Sequence, residues 1–147
     1  MNPTLRAAHL LDIEPRTLYS LLRLRIDVFV VEQECPYPDL DGIDLEPGTE
    51  QHWLEVGAPP EPVATLRTYV DAAGTVHLGR VATQAAHRGQ GYAALLVEEA
   101  LRRIGQRPVQ ISAQTYLEGW YARFGFRRNG DDYVEDGIPH LPMRREP

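Results

Sequence analysis

Two segments of the chain place apolar side chains at the spacing of an amphipathic helix. The first covers residues 17–30, and Pro15 lies just ahead of it, where proline suits a helix start. The second ends at Gly105, a natural helix stop, and carries one apolar stripe. That stripe comprises Leu96, Val97, Ala100, Leu101 and Ile104. The pattern therefore predicts one helix early in the chain and another beyond its midpoint.

Shorter apolar runs predict strands, because turns rich in glycine and proline separate them. The predicted strands cover residues 4–10, 51–56, 62–70, 75–83 and 109–113, and residues 133–144 can add one or two more. A further short helix is predicted over residues 115–124, before Gly125. This order of strands and helices predicts an α/β sandwich around one mixed sheet, built as a single domain over residues 1–147.

The charge balance narrows the classes of partner. The chain has 147 residues, with 21 acidic and 15 basic side chains and a formal net charge of −6. Proteins that bind nucleic acid usually carry a basic face, so no nucleic-acid partner is expected. An acidic surface instead suits a cationic, amine-bearing partner through long-range attraction.

Cysteine and histidine usage predicts neither disulfides nor metal. Cys35 is the single cysteine, which excludes an internal disulfide and fits a reducing compartment. The 5 histidines share no metal-ligand spacing. No segment near the first residue resembles a signal peptide, and no apolar run is long enough to span a bilayer. These features predict a cytoplasmic protein without a membrane partner.

The most informative segment is a glycine loop over residues 88–93, RGQGYA, which follows a strand and opens the second helix. Glycine lets a backbone approach a ligand closely. The start of a helix presents unpaired N–H groups and the positive end of the helix dipole. The loop is therefore predicted to hold an anion, most naturally a phosphate or diphosphate. A tight strand-to-helix turn is the alternative explanation of its two glycines.

Two common phosphate-binding loops fit this segment poorly. A P-loop requires lysine followed by serine or threonine, whereas tyrosine and alanine follow Gly91. Gly89, Gly91 and Ala94 formally match a dinucleotide-binding turn. That turn also needs an acidic residue about 20 residues further on, and residues 112–114 contain none. A dinucleotide oxidoreductase therefore remains only a weak alternative.

A third pattern matches better and extends beyond the loop. Arg88-x-x-Gly91-x-Ala93 resembles R/Q-x-x-G-x-G/A, the acyl-CoA signature of the GNAT N-acetyltransferase family. Residues 81–83 stand where that family lays the pantetheine arm along a strand. Residues 120–126, WYARFGF, resemble its F-Y-x-x-x-G-F element. The ordered set is a stronger signal than the loop alone.

Two further stretches are similar to the ElaA-type subgroup of this family. They are residues 28–42, VFVVEQECPYPDLDG, and residues 135–140, EDGIPH. The resemblance implies a mixed, mostly antiparallel sheet of about six or seven strands, flanked by about four helices. A splayed pair of parallel strands would form the acyl-CoA cleft. Gly79, inside the strand before the loop, hints at a bulge that would help to part this pair.

The resemblance also implies a reaction. The protein would transfer an acetyl group from acetyl-CoA to a primary amine by direct attack, releasing coenzyme A. Its acceptor would be a small-molecule amine or a lysine-like group, and a homodimer is plausible by analogy with the fold. The alternative is a non-catalytic module on the same fold that binds acyl-CoA and regulates or contacts another protein.

The resemblance carries over a set of coenzyme A-binding positions. Backbone N–H groups of the glycine loop would hold the diphosphate, and the preceding strand would pair with pantetheine as if with an added strand. Gln114 would hydrogen-bond to pantetheine, at a place where the family often has asparagine. The full set is Val81, Ala82, Thr83, Arg88, Gly89, Gln90, Gly91, Tyr92, Ala93 and Gln114.

Tyr121 is predicted to be the general acid, from its place in the aromatic element. A phenol with a pKa near 10 stays protonated at neutral pH and can donate to a departing thiolate. Simple packing of a short helix is the alternative for this residue. Glu32 and Arg80 are predicted to face the acceptor, and a surface ion pair explains Arg80 equally well.

The base that deprotonates the amine is left open by the sequence. An ammonium group is not a nucleophile, so a side chain or a water relay must remove a proton before attack. The candidates are Glu32, Asp39, Asp41, Asp44 and His140, and their spacing singles out none. Taken one by one, the acidic residues of the loop are also explained by a solvated surface.

Overall fold

The chain folds around one β-sheet. The computed structural model describes residues 2–147. Its strands are β1 (Thr4–Ala8), β2 (Glu50–Val56), β3 (Glu61–Val70), β4 (Val76–Thr83), β5 (Val109–Gln114), β6 (Arg127–Arg128), β7 (Tyr133–Glu135) and β8 (Ile138–Arg145). Their order is β1-β2-β3-β4-β5-β8-β6, and β7 also pairs with β8.

The sheet confirms the predicted mixed and mostly antiparallel character. Among the strands of residues 2–147, only β4 and β5 run parallel, and the other neighbouring strands are antiparallel. The described chain forms an 8-stranded sheet, however, rather than one of six or seven strands. The additional strands are short, with 2 residues in β6 and 3 in β7. Segments of that length carry too few alternating positions to be distinguished from turns.

The α-helices are α1 (Pro15–Ile26), α2 (Tyr92–Ile104) and α3 (Glu118–Ala122). The expectation of about four helices is corrected to three α-helices in the described chain. The predicted helix at 17–30 consists of α1 and a π-helical continuation, Asp27–Glu32. The predicted helix at 115–124 divides into a 3₁₀ turn, Thr115–Leu117, followed by α3.

Helices cover both faces of the sheet, as the predicted sandwich requires. Neighbouring residues on a strand point to opposite faces, and on β2 Trp53 packs with Leu21 of α1 while Leu54 belongs to the core beneath α2. The predicted apolar stripe of α2 is buried throughout. Burial of each leucine, valine or isoleucine side chain contributes on the order of 1.5–3 kcal/mol, so these two layers fix α1 and α2 on the sheet.

The parallel strands β4 and β5 separate after a short paired segment. Val76 lies opposite Val109 and His77 opposite Gln110, and the parallel ladder ends there. β5 instead continues to Gln114 against β8. The predicted splayed pair is therefore present. Beyond His77, the edge of β4 that faces β5 is left open.

A β-bulge in β4 accompanies this separation. The register moves from Arg67 to Thr65 on β3 while it moves from Gly79 to Ala82 on β4. Arg80 lies within the bulge at a left-handed φ of +53°, a strained conformation for a residue with a side chain. Bulges bend a strand and redirect its side chains. This one follows directly after Gly79, the glycine predicted to mark it.

Candidate active site

The splayed strands open into a cleft of about 840 Å³, a volume typical of a small-molecule site. Its other walls come from the π-helical segment, the loop after it, α3 and the hairpin of β7 and β8. The predicted site residues that line it are Glu32, Arg80, Val81, Ala82, Thr83, Arg88, Ala93, Gln114 and Tyr121. The remaining predicted positions, Gly89, Gln90, Gly91 and Tyr92, form the turn into α2.

The glycines of the loop are required by backbone conformation. Gly89 has a φ of +82° and Gly91 a φ of +76°, in the region that glycine adopts without strain. A Cβ at either position would meet no atom within 4 Å, so lack of space is not the reason. The open space on this side of the backbone is available to a ligand.

The first turn of α2 has backbone donors to offer. Gly91 caps the helix without a side-chain hydrogen bond. Leu95 donates to the carbonyl of Gly91 at 3.1 Å, so residues 92–94 precede the regular ladder of the helix. Arg88 is different from the rest of the loop, because its N–H already donates to Ala85 at 3.4 Å. The geometry thus favours the amides after Arg88 as anion donors.

Tyr92 can contribute only through its backbone. Its side chain is buried in the main core, and its ring stacks on His87 with the centroids 6.4 Å apart. The phenol therefore anchors the first turn of α2 to the core. A rigid first turn keeps the N–H groups of the loop in place before a ligand arrives.

The guanidinium of Arg88 joins the glycine loop to two other parts of the site. Its Nε donates to the carbonyl of Thr83 at 3.0 Å. Its two Nη atoms donate to the carboxylate of Glu32 at 2.9 and 2.7 Å. These bonds lower the pKa of Glu32. Glu32 is thus held as an anion and is a poor proton acceptor, while its predicted role towards the acceptor stays a prediction.

Tyr121 occupies a buried position on α3 at the wall of the cleft. Its residue exposure is 8%, and its ring packs edge-to-face on Trp120 and Phe126, with centroids 4.9 and 6.0 Å away. Burial raises the pKa of the Tyr121 phenol, and nearby Tyr116 adds to the shift. Its hydroxyl forms no hydrogen bond with any residue in the range 2–147. The phenol therefore keeps its proton and has it available for a ligand in the cleft.

Three arginines and three aspartates form a charge-balanced network beside the cleft. Its members are Arg25, Arg67, Arg80, Asp39, Asp41 and Asp44. Arg25 is 1% exposed and donates to Asp39 at 2.9 Å and to Asp44 at 2.8 Å. The solvated-surface explanation of the acidic loop is therefore wrong for these two aspartates, because both are buried.

The arginines of the network also keep two of its carboxylates, Asp41 and Asp44, ionised. Burial alone would raise the pKa of Asp41, but the hydrogen bonds and charge of Arg67 outweigh it and lower the pKa. For Asp44, burial is outweighed in the same way by Arg25, with a contribution from Arg67. Carboxylates stabilised as anions bind a proton weakly, so neither is suited to deprotonating an amine.

Arg80 fits the ion-pair explanation while also lining the cleft. Its Nε lies 2.8 Å from Asp39 Oδ1, in an orientation that does not make a hydrogen bond. Its guanidinium carbon lies 5.3 Å from the ring centroid of Tyr37, within range of a cation–π contact. The strained backbone at the bulge thus places this side chain between the cleft and the network.

Several residues of the cleft were not predicted from sequence patterns. Phe29, Tyr37 and Tyr116 line it, and Tyr116 is 77% exposed. Phe29 and Tyr37 lie within the ElaA-like stretch 28–42, which is the signal that could have indicated them. Tyr116 has no such signal, because only the fold brings it near Arg88 and Tyr121.

Neither a metal site nor a membrane span is found in the part of the chain that the structure describes. Across residues 2–147, no group of three or more histidine, cysteine, aspartate or glutamate side chains could hold a metal ion. In the same range, no helix combines the length and apolar character that crossing a membrane requires.

The splayed strands, the glycine loop and the aromatic element define one class of protein. The family model described as "Acetyltransferase (GNAT) domain" matches residues 57–147. The chain belongs to the GNAT acetyltransferase family, whose enzymes transfer acyl groups from acyl-CoA to an acceptor.

Relatives along the whole chain support the narrower resemblance. A UPF0039 protein of Mycobacterium tuberculosis is 46% identical over an alignment of 148 positions, which covers 99% of this chain and 94% of the relative. The crystal structure of Escherichia coli ElaA has a TM-score of 0.90 and 34% identity, covering 99% of this chain and 100% of its own. An acyl-CoA N-acyltransferase of Pseudomonas aeruginosa has a TM-score of 0.89 and 40% identity, covering 98% and 99%. The predicted resemblance to the ElaA-type subgroup is confirmed.

Proposed function

We propose that this protein is an N-acetyltransferase that moves an acetyl group from acetyl-CoA to a primary amine by direct attack. The observation that carries the proposal is the convergence of three features on one cleft. They are the open edge of β4, the glycine loop before α2, and the buried phenol of Tyr121. Each supplies something that transfer from a thioester requires: a place for the donor, a hold on its charge, and a proton for the leaving group.

Coenzyme A would enter between β4 and β5. N–H groups after Arg88, from Gly89, Gln90, Gly91, Tyr92 and Ala93, would hold its diphosphate, because they lie at a loop and helix start with donors to spare. Pantetheine would pair with the free edge of β4 at Val81, Ala82 and Thr83, with Gln114 across the cleft. The thioester carbonyl would then lie near the bulge, where the N–H of Val81 can polarise it.

Tyr121 would protonate the departing thiolate. A phenol whose pKa is raised by burial does not give up its proton to a thiolate on its own. The tetrahedral intermediate, however, carries a surplus proton on the former amine nitrogen. If that proton reaches the phenol oxygen as the phenol proton reaches sulfur, Tyr121 is neutral before and after the step. Burial then favours this exchange, because no charged tyrosinate has to persist.

The acceptor would be a small-molecule or lysine-like primary amine. The formal net charge of −6 favours the approach of a cation. Asp41, the aspartate of the arginine network that lines the cleft, is already paired with Arg67 and Arg80. The wall formed by β7 and β8 instead presents Glu135 and Asp136, which no arginine in residues 2–147 pairs with.

The proposal is tested by release of free thiol from acetyl-CoA in the presence of a panel of primary amines. We expect release that depends on both the enzyme and the amine, with the N-acetylated amine identified by mass spectrometry. Reactions without amine measure hydrolysis. Binding of acetyl-CoA without transfer to any amine would contradict the proposal and favour a non-catalytic acyl-CoA-binding module instead.

A further inference from the structure

His140 is distinguished from the other candidate bases by the state of its ring nitrogens. It lies on β8 and lines the cleft. Its Nδ1 is 2.7 Å from the carbonyl oxygen of Ile138. A carbonyl only accepts hydrogen bonds, so Nδ1 carries a proton, and in the neutral ring the lone pair therefore lies on Nε2. Within residues 2–147, Nε2 forms no hydrogen bond. A proton-accepting atom is thus presented at the cleft.

The ring of His140 is held in this orientation from several sides. Its side chain is 10% exposed. The ring of Tyr133 stacks on it at a centroid distance of 5.9 Å and an interplanar angle of 22°. In the sheet His140 lies opposite Gln114 of β5 and opposite Tyr133 of β7. Together with the bond to Ile138, these contacts fix the direction of Nε2 before any substrate binds.

The remaining candidates are each engaged by arginine. Glu32 forms two hydrogen bonds with Arg88. Asp39, Asp41 and Asp44 belong to the arginine network. A carboxylate held in this way loses its ion pair when it takes a proton, whereas His140 loses no contact at Nε2. Of the five candidate bases, His140 is therefore the one that no arginine of residues 2–147 engages.

A carboxylate stands beside the free nitrogen of this histidine. Oε2 of Glu135 lies 3.7 Å from Nε2 of His140, and its side chain is 55% exposed. It sits on the short strand β7, at the wall of the cleft. An exposed carboxylate next to a proton acceptor is suited to receive a cation from solvent and to stabilise the imidazolium that forms afterwards.

We propose that His140 is the general base of the acyl transfer, and that Glu135 receives the acceptor as an ammonium ion. The proposal rests on the proposed function and names the form in which the acceptor arrives, an aliphatic primary ammonium. Nε2 of His140 takes one proton from R–NH₃⁺, giving R–NH₂ and an imidazolium. The nitrogen lone pair then forms a bond to the thioester carbon.

The remaining protons balance without a further reactant. The tetrahedral intermediate breaks its carbon–sulfur bond, and the electron pair leaves on sulfur. The thiolate takes the phenol proton of Tyr121, and the amide nitrogen returns its surplus proton to the phenol oxygen. Nε2 of His140 releases its proton to solvent. The net change is one amide and one coenzyme A thiol formed, with one proton released.

The test compares two acceptors whose attacking nitrogens differ in protonation at neutral pH. One is the alkylamine that the wild-type protein acetylates fastest, and the other is its aminooxy analogue, whose nitrogen is unprotonated at neutral pH. His140→Asn keeps an amide donor for Ile138 but removes Nε2. We expect kcat with the alkylamine to fall at least about 100-fold, the scale of general-base catalysis, and kcat with the aminooxy compound to change less than about threefold.

A matched substitution and a second variant complete the experiment. His9→Asn changes a histidine at the start of a 3₁₀ turn outside the cleft and is expected to leave both rates unchanged. His140→Ala is expected to regain alkylamine turnover when imidazole is added. Glu135→Gln is expected to raise KM for the alkylamine about tenfold while leaving KM for the aminooxy analogue unchanged.

The outcomes separate this proposal from the one it rests on. An equal loss with both acceptors would mean a structural role for His140 and would overturn the inference, as would full turnover in His140→Asn. In either case the wild-type protein still transfers acetyl groups, so the proposed function stands. Absence of transfer by the wild-type protein to every amine would overturn both.

Discussion

Arg88 and Glu32 are joined by two parallel hydrogen bonds, 2.9 and 2.7 Å long, that tie the π-helical segment after α1 to the glycine loop. The pair is partly exposed, with side-chain exposures of 42% and 46%. A carboxylate that is hydrogen-bonded to the arginine of the coenzyme A loop is not available to deprotonate an amine. The pair therefore argues against Glu32 as the base. Position along the chain gives no hint of this contact.

Glu32→Gln is expected to leave kcat within about threefold of the wild-type value. Partly exposed ion pairs contribute about 0–1 kcal/mol to stability, so the free energy of unfolding should change by no more than that. Steady-state thiol release and urea denaturation measure the two quantities. Glu118→Gln, which breaks an exposed pair with Arg128 outside the cleft, is the control. A loss of 100-fold or more in kcat would instead identify Glu32 as the base.

Tyr121→Phe is expected to lower kcat by about 100-fold, within the range for loss of a general acid. The Kd for acetyl-CoA and the Tm should barely change, because the hydroxyl forms no hydrogen bond with the described residues and the ring packing is kept. Thiol release, calorimetric titration and thermal unfolding test these points. Tyr19→Phe, at an exposed tyrosine outside the cleft, should leave all three unchanged. Normal turnover in Tyr121→Phe would remove this residue from the acid role.

Gly91→Ala is expected to raise the Kd for acetyl-CoA at least tenfold. The left-handed φ costs an alanine about 1–2 kcal/mol, and the new methyl group would project into the open space that we propose for the diphosphate. Gly74→Ala provides a matched control, since Gly74 has a φ of +84° and equally open surroundings in the turn between β3 and β4. We expect a similar loss of stability in both variants and weaker binding only in the first. Equal Kd values would contradict the anion-binding role of the loop.

His52 makes stability depend on pH in a defined window. Burial lowers its pKa from 6.5 to about 4, with a smaller contribution from Arg103, while Glu50 and Glu99 oppose the shift. As the pH falls below 6.5, the unfolded chain binds a proton that the folded chain does not. Stability from this group is therefore full above pH 6.5 and lost progressively towards pH 4.

The expected loss from His52 is about 3 kcal/mol of unfolding free energy between pH 7 and pH 4, at 1.36 kcal/mol per pKa unit. Urea denaturation at a series of pH values measures it. In His52→Gln the decline over this window should be smaller by about that amount, whereas His9→Asn should retain it. Identical pH dependence in wild type and His52→Gln would show that another group is responsible.

Arg25→Ala is expected to destabilise the protein by about 3–5 kcal/mol, the cost of breaking a buried ion pair. The substitution would leave Asp39 and Asp44 buried without their main counter-charge. Arg23→Ala removes an arginine of the same helix whose pair with Asp27 is exposed, and it should barely change stability. Urea denaturation of the two variants tests the contrast. Similar stabilities would mean that the network is not a structural element.

Local patterns predicted the parts of this molecule that depend on local chemistry. The stripe of α2, the glycine loop and the bulge near Gly79 are each encoded within a few residues, by helical spacing, by positive φ or by the absence of a side chain. The family motifs added the splayed pair of strands. Such features need no knowledge of distant partners.

The remainder depends on contacts between residues far apart in the chain. The sequence alone indicates a solvated Asp39, because it does not show the contact with Arg25. The sequence alone leaves His140 as one of several candidate bases, because it does not show that the carbonyl of Ile138 fixes the tautomer of the ring. Periodicity also cannot indicate where an α-helix changes into a π-helix, as at Asp27–Glu32, because a segment of 6 residues is too short to define a period of its own.

The central claim is that the cleft between β4 and β5 holds acyl-CoA, and a crystal structure with bound acetyl-CoA tests it most directly. We expect the diphosphate to accept hydrogen bonds from N–H groups of residues 89–93, pantetheine to lie along β4 at residues 81–83, and the thioester sulfur to lie within hydrogen-bonding distance of the Tyr121 hydroxyl. Electron density for the ligand elsewhere on the protein, with this cleft occupied only by water, would contradict the account.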